Sequence, residues 1–485
     1  MLSPEQEYAF EQFKRGDNLF ISGAGGTGKT RLIRHLVEYL NQSGKTYQVC
    51  ALTGCAALLL DCGARTIHSW SGIKLAKGKV DQVVGSVLNN KYAVKLWRKT
   101  DILIIDEVSM MSKKIFDILE AIGRRTRHST QPFGGMQVVF SGDFYQLPPV
   151  ESYGEPDTAA FCFESDIWTT VFKPHNHILL KTVFRQTDPL YCDILSQVRE
   201  GGLGEEHVAT LQSHVNRKYD ADANGGCIPT KIFPIRSKVD MVNSQMFSKI
   251  DAEEYVFKCI KKMDGTKFIE KDTAIPAALL CKCAELKEAE KEYEIQQLIS
   301  NTQCLQVLRL KVGAAVMCTI NLDMDNGICN GSQGVVIDIV ACGDDAETPY
   351  LPIVRFSNGA IRRIQLQYRQ SDDYPSISIG YIPLYLAWAI TIHKIQGATL
   401  KMAELDIGGS IFEFGQTYVA LSRIQSLDGL YLSNFDPTKI KTSKTVKAFY
   451  RNIPNINYDI IKPTDQSKEN GTSPQQISTV KHIYL

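Results

Sequence analysis

Apolar residues fall along the chain in two alternating rhythms. "DNLFISG" (Asp17 to Gly23) is a short apolar run with the look of a buried strand. "KTRLIRHLVEYLNQSG" follows it, with Leu32, Leu36 and Leu40 four apart, Ile33 and Val37 beside them and Gly44 near the end. That spacing predicts an amphipathic helix. "YQVCALTG", "DILIID" and "MQVVFSGD" read as three further strands, and "KKIFDILEAIGRRTR" between the last two reads as another amphipathic helix. Strands alternating with helices predict an α/β fold with a parallel sheet covered on both faces.

Further along, "KIFPIRSKVDMVNSQMF" reads as strand then helix and opens a second α/β region. From residue 310 to 367 short β-like runs are punctuated by "NGSQG", "CGDD" and "SNG". These are hairpin signals and predict a small antiparallel, barrel-like insertion. The α/β pattern resumes at "YIPLYLAWAITIHKIQG". The Lys/Glu-rich stretch 253–300 has no clear rhythm, and the tail "KPTDQSKENGTSPQQ" is polar enough to predict disorder. The expected organisation is a first domain over 1–175 with a small wedge at about 68–100. A second domain follows over 176–450 with the β-rich insertion at about 310–380, then a tail over 451–485.

Composition adds limits. The 485 residues are 44% hydrophobic and 22% charged, an ordinary globular balance. Fifty-four basic residues against 53 acidic ones leave a net charge of +1, so any nucleic-acid groove must be a local basic path. The 13 cysteines contain no CxxC pair, and Cys281-Lys-Cys283 is too close for usual zinc spacing. Free thiols in a reducing compartment are expected. No apolar run approaches a membrane span, and "MLSPEQEYAFEQF" carries no signal or transit pattern. The chain is expected to be soluble and intracellular, and monomeric in isolation.

The chemistry lies in five segments. "GAGGTGKT" (Gly23 to Thr30) matches G-x-x-x-x-G-K-[ST] between a predicted strand and a predicted helix. Gly23, Gly25, Gly26, Thr27 and Gly28 would turn backbone N–H groups toward phosphates, helped by the helix dipole. Lys29 would reach the β- and γ-phosphates and Thr30 would bind Mg²⁺. "DILIIDEVSM" delivers Asp106, for the metal, and Glu107, to orient or deprotonate the attacking water. "SGDFYQLPPV" puts Gln146 past a strand end, its backbone stiffened by Pro148 and Pro149. It suits a nucleotide-state sensor. Arg185 in "FRQ" and Arg423 in "YVALSR" are cations that a second domain could supply to the transferring phosphoryl group. Each alone would more often be a surface ion pair.

These segments, with "LSPEQEYAF", "TIHSWSGI", "FDILEAIGRRTRHSTQPFGG", "LKVGAAVMCTIN", "NGSQGVV", "AITIHKIQGATL" and "GQTYVALSR", resemble the PIF-type (petite integration frequency) helicases of superfamily 1B over most of residues 1–450. The resemblance implies two RecA-like domains with ATP between them and ATP-driven, 5′-to-3′ unwinding from single-stranded DNA. Tailed duplexes, G-quadruplexes and RNA–DNA hybrids would be substrates, in replication, repair, recombination or telomere maintenance. It implies that Gln6 reads the adenine and that Gln396 and Gly397 meet the nucleotide. It implies that Thr53, His68, Thr391, His393 and Lys394 face DNA, and that Lys77 lies in the wedge loop "GIKLAKGK". Ile395 departs from the pattern by replacing a small polar residue. Trp70 and Trp388 fit stacking chemistry but, as large aromatics, belong more often to a core. Two other readings remain open: a RecD-like or relaxase-type motor, and a nucleotide-gated DNA-binding scaffold. "FDILEAI…PFGG" favours the PIF-type reading over the first, and the complete hydrolytic set argues against the second.

Overall fold

The structure is a computed structural model. It describes residues 2–456 apart from 61, 75, 153, 220–227, 264–285, 303, 324–325, 343–347, 372–373, 375 and 455. The Cys281-Lys-Cys283 pair and nearly all of the polar tail lie outside the described residues.

The first domain is built on six parallel strands: β1 (Leu19–Gly23), β2 (Tyr47–Ala51), β3 (Arg65–Thr66), β4 (Ile102–Asp106), β5 (Gln137–Gly142) and β6 (His177–Leu180). Their order is β3-β2-β4-β5-β1-β6, every pairing parallel. All five residues of β1 and of β4 are buried, so these strands read as continuous apolar runs and not as alternation. The helix Lys29–Ser43 turns its Leu32, Ile33, Leu36, Val37 and Leu40 stripe onto one face and ends at Gly44 in the left-handed region. The other face is covered by Lys113–Arg127 and by the helices Ile67–Ser71, Val80–Asn89 and Lys91–Lys99 of the predicted wedge. Trp70 lies against Trp97 in that core, 4.7 Å between ring centroids. Both are fully buried, and Trp388 is buried in the insertion core, so neither Trp70 nor Trp388 is a stacking platform.

The domain limits need correcting. The boundary expected at 175 cuts off β6, which pairs with β1 and completes the first sheet. The helix Lys444–Arg451, expected in the second domain, also returns to the first. Its Val446 and Phe449 join the first domain's core, with Phe449 4.2 Å from Phe163 between ring centroids.

The second domain has a four-stranded parallel sheet of β7 (Thr230–Phe233), β18 (Ala389–Thr391), β19 (Ala403–Ile407) and β20 (Leu430–Phe435), in the order β18-β7-β19-β20. Between β7 and β18 lies the antiparallel insertion. It begins near residue 255, well before the expected 310. β8 (Tyr255–Lys258) pairs with β10 (Val307–Leu310), and β9 (Ile260–Lys262) pairs with β16 (Ser378–Tyr381), whose other neighbour is β15 (Gln367–Gln370). A five-stranded antiparallel sheet holds β11 (Ala315–Cys318), β12 (Gln333–Ala341), β13 (Tyr350–Phe356), β14 (Ile361–Arg363) and β17 (Leu384–Leu386). Part of the unreadable 253–300 stretch is thus strand and part is the helix Glu288–Thr302. Among the described residues no helix is long and apolar enough to cross a membrane.

Candidate functional site: a cleft between two parallel sheets

The expected site residues follow the C-terminal ends of parallel strands, where open α/β sheets bind ligands. The P-loop follows β1, Asp106 ends β4, and Gln146 lies four residues beyond β5. They meet in a cleft of about 360 Å³ lined by Gly25, Gly26, Gly28, Lys29, Thr30, Glu107 and Gln146 from the first sheet's loops. Arg185, Gly397 and Arg423 line its other side, with Phe184, Thr399 and Gln425.

The P-loop is held from both domains. The helix Lys29–Ser43 has Gly28 at its N-cap and no side-chain cap, which leaves its dipole end to a ligand. Lys29 Nζ donates to its own loop, to Gly23 O at 2.7 Å and Ala24 O at 3.0 Å. Thr27 Oγ1 donates to Ala24 O at 2.9 Å. Gly25 N donates to Tyr418 Oη of the second domain at 2.7 Å. Gly26 has a φ of +89°, and a Cβ there would come within 2.6 Å of Arg185 Cβ, so only glycine allows this approach. Gln6 is fully buried and its Nε2 donates to Thr27 O and Gly28 O, both at 3.3 Å, while its Oε1 accepts from Ser3 N. Its amide therefore braces the P-loop in this structure.

Burial, then the adjacent Glu107, hold the Asp106 carboxyl above the usual carboxylate range. Burial lowers the Lys29 ammonium against the pull of Asp143, Glu107 and Asp106. Glu107 has a φ of +56°, which lifts it off the strand direction, and its Oε2 accepts from Gln396 Nε2 at 3.2 Å across the cleft. Gln146 is buried and its Oε1 has no hydrogen-bond partner among the described residues. Rotating that amide would present its NH₂ instead. Gly415 of the second domain packs on the same loop, where a Cβ would lie 2.6 Å from both Tyr145 O and Gln146 O.

Arg185 and Arg423 give the cleft its cationic side. Arg423 is fully buried, donating from Nε to Val419 O at 3.0 Å and from Nη2 to Ser422 Oγ at 2.8 Å. Arg185 Nη1 donates to Ser422 O at 3.0 Å. Among the described residues neither forms an ion pair with a carboxylate. Burial, then repulsion from Arg423, lower the Arg185 guanidinium below its ordinary range, and burial lowers that of Arg423. A polyphosphate would relieve both, and Asp106 with the Thr30 hydroxyl suits a hard divalent cation.

The residues expected to face DNA are more dispersed. Thr53 follows β2, where its Oγ1 accepts from Ala56 N at 3.2 Å and opens the helix Gly54–Leu60. His68 lines a separate cavity of about 240 Å³ with Lys114, Pro149 and Glu155, and burial lowers its imidazole. Lys77 is exposed beside Gly78, whose N–H donates to Glu155 Oε1 at 2.8 Å. Thr391 ends β18 and is buried, whereas His393 and Lys394 are exposed just after it. Lys394 Nζ lies 4.5 Å from the Tyr385 ring centroid. Ile395 is wholly buried in the second domain's core, which explains an apolar residue at that position.

Three comparisons bear on this arrangement. A PIF1-like helicase model matches residues 1–202 and a DNA helicase Pif1 2B-domain model matches residues 296–339. The ATP-dependent DNA helicase Pif1 of Bdellovibrio bacteriovorus is 33% identical to the chain, over 93% of the chain and 92% of that protein. The chain belongs to the PIF1-like helicase family. The ATP-dependent DNA helicase PIF1 of Danio rerio is 34% identical, and the chain spans 64% of its length. Crystal structures of Pif1-like helicases agree with the fold. That of the Candida albicans enzyme covers 94% of this chain and 100% of its own, at a TM-score of 0.72 and 34% identity. That of a Bacteroides sp Pif1 in complex with ADP-AlF4 covers 93% and 96%, at 0.68 and 28%.

Some of what holds this family member's cleft escaped sequence reasoning. Asp143 is fully buried and takes a two-pronged contact from Arg199, Nε to Oδ2 at 2.9 Å and Nη2 to Oδ1 at 2.8 Å. The guanidinium lies 4.3 Å and 5.3 Å from the Tyr145 and Tyr450 ring centroids. Tyr450 Oη also meets Ser22 Oγ at 2.6 Å and accepts from Phe144 N at 3.0 Å, which ties Lys444–Arg451 to the strand entering the P-loop. Arg199→Met leaves Asp143 buried without its cation, and that is expected to cost about 3–5 kcal/mol, read as a lowered denaturation midpoint. An unchanged midpoint would mean that Asp143 is satisfied by water.

Proposed function

We propose that the chain is an ATP-driven DNA helicase that moves 5′ to 3′ on single-stranded DNA and opens tailed duplexes. The observation that carries this is the convergence of Lys29, Arg185 and Arg423 on one cleft that also holds Glu107. Hydrolysis needs a phosphate cradle, a base and cations that complete the site, and all three types of group line this cleft. Thr30 and Asp106 would hold Mg²⁺, which would neutralise charge on the β- and γ-phosphates. Glu107 would take a proton from the attacking water. Gln146 would sense the γ-phosphate, and its backbone touches Gly415 of the other domain. Losing the phosphate would therefore be felt across the cleft. The same relation between Glu107 and Gln396 gives a route from hydrolysis to the segment bearing His393 and Lys394.

DNA as the track is supported by relatives: one crystal structure is of Bacteroides Pif1 bound to ssDNA, and a further Pif1 structure concerns DNA unwinding at forked dsDNA by two coordinating Pif1 helicases. Thr53, His68, Lys77, Thr391, His393 and Lys394 are proposed contacts to the strand. G-quadruplexes and RNA–DNA hybrids are proposed as further substrates from the family resemblance. Phosphate contacts dominate such binding, so affinity for oligo-dT is expected to fall with salt, with a log–log slope of about −0.7 per phosphate contact. A titration at several salt concentrations reads it, and a flat line would rule out a phosphate-tracking groove. The test of direction is unwinding of 5′-tailed against 3′-tailed duplexes with ATP. Opening of the 5′-tailed substrate is expected, and selective opening of the 3′-tailed one would overturn the assignment.

A further inference from the structure

The antiparallel insertion carries a feature that nucleotide chemistry does not use. Cys259 Sγ and Cys304 Sγ stand 3.8 Å apart, although 45 positions separate them in the chain. The backbone sets this pairing. Cys259 lies between β8 and β9, and its N–H donates to Gln306 O at 2.9 Å, continuing the ladder between β8 and β10. Both thiols are free and partly exposed, at the edge of a small core formed by Ile295, Leu298, Ile299, Ile377 and Ile379. A disulfide has a sulfur–sulfur bond of about 2.05 Å, so the two sulfurs need to approach by under about 2 Å.

We propose that Cys259 and Cys304 form a redox-sensitive dithiol that a peroxide converts into a reversible disulfide. Cys304 Sγ donates to Cys259 Sγ, so the two thiols share one hydrogen bond and either can supply the thiolate. That thiolate displaces hydroxide from hydrogen peroxide and becomes a sulfenic acid. The other thiol then loses its proton and attacks that sulfur, forming the S–S bond and expelling hydroxide, which leaves as water. Two thiols and one peroxide give one disulfide and two waters. The bridge would act on the helix Glu288–Thr302, which ends two residues before Cys304. The Leu298–Thr302 end of that helix shares a cavity with Gly54 and Ala57 of the first domain. Oxidation would thus anchor to the insertion the helix that touches the segment after Thr53. None of this depends on the ATPase reading.

The experiment is a hydrogen peroxide titration of the full chain, followed by differential thiol labelling and peptide mapping. The expected result is a linked peptide joining Cys259 to Cys304, with labelling of both lost together and restored by dithiothreitol. Hydrogen exchange should slow across 255–262 and 304–310 on oxidation. In a Cys281→Ser, Cys283→Ser variant the link should persist. In Cys259→Ser or in Cys304→Ser, dimedone should trap a sulfenic acid on the cysteine that remains of the pair. Finding both thiols unlinked while other cysteines react, or Cys304 joined to Cys281 or Cys283 instead, would overturn the proposal.

Discussion

Glu107→Gln is expected to lower ATP hydrolysis by about 10²- to 10⁴-fold, the usual worth of a positioned general base. The substitution keeps the shape of the side chain and removes only its ability to accept a proton. Nucleotide affinity should hold, because the proposed phosphate contacts lie with the P-loop, Lys29 and the arginines, which line the same cleft. DNA binding should hold as well. Glu107 sits at the strand end with a φ of +56° and is oriented by Gln396 at 3.2 Å, so the carboxylate is aimed and not merely present. Gln396→Ala should then lower kcat by loosening that aim, and by less than Glu107→Gln does. If Glu107→Gln hydrolyses ATP at the wild-type rate, the base lies elsewhere.

Removing either guanidinium is expected to be as damaging. For Arg185→Ala and Arg423→Ala the loss in kcat should be about 10³- to 10⁵-fold, the range for arginines that meet transition-state charge. Lysine should not restore it, because a point charge lacks the planar fork. Stability should respond differently from activity. The two cations repel each other across the cleft, and each donates only to neutral oxygens. Losing a hydrogen bond from a charged donor costs about 1.5–3 kcal/mol, and the relief of repulsion offsets part of it. The denaturation midpoint without nucleotide should therefore fall modestly while turnover collapses. A variant that unfolds readily yet turns over normally once folded would make these arginines structural.

The candidate nucleotide site is legible in the sequence because its residues are local in sequence. Gly23 to Thr30 places a loop and a helix start next to a buried strand, and the acidic pair follows four apolar residues. Buried parallel strands are short apolar runs, so β1, β2, β4 and β5 could be read one at a time. What failed to show depends on distant partners. "HILL" becomes the sixth strand only because β1 offers it an edge more than 150 residues upstream. β8 and β9 are too short and too charged to signal themselves, and they exist through pairing with β10 and β16. Asp143 stands in "SGDFYQLPPV", but its partner Arg199 lies 56 residues away on a helix with no motif. Tyr450 sits beside a polar tail, and nothing local announces that its hydroxyl reaches Ser22. Gln6 had a role by resemblance, yet its contact with two P-loop carbonyls could be found only in three dimensions.

Coupling between the cleft and DNA is the claim on which the motor stands or falls. Steady-state ATP hydrolysis should be measured for the full chain with and without single-stranded oligo-dT, at low salt and saturating Mg²⁺-ATP. Strong stimulation by DNA, abolished in Glu107→Gln, is the predicted result. Equal rates with and without DNA would contradict the link from Glu107 through Gln396 to the segment of His393 and Lys394.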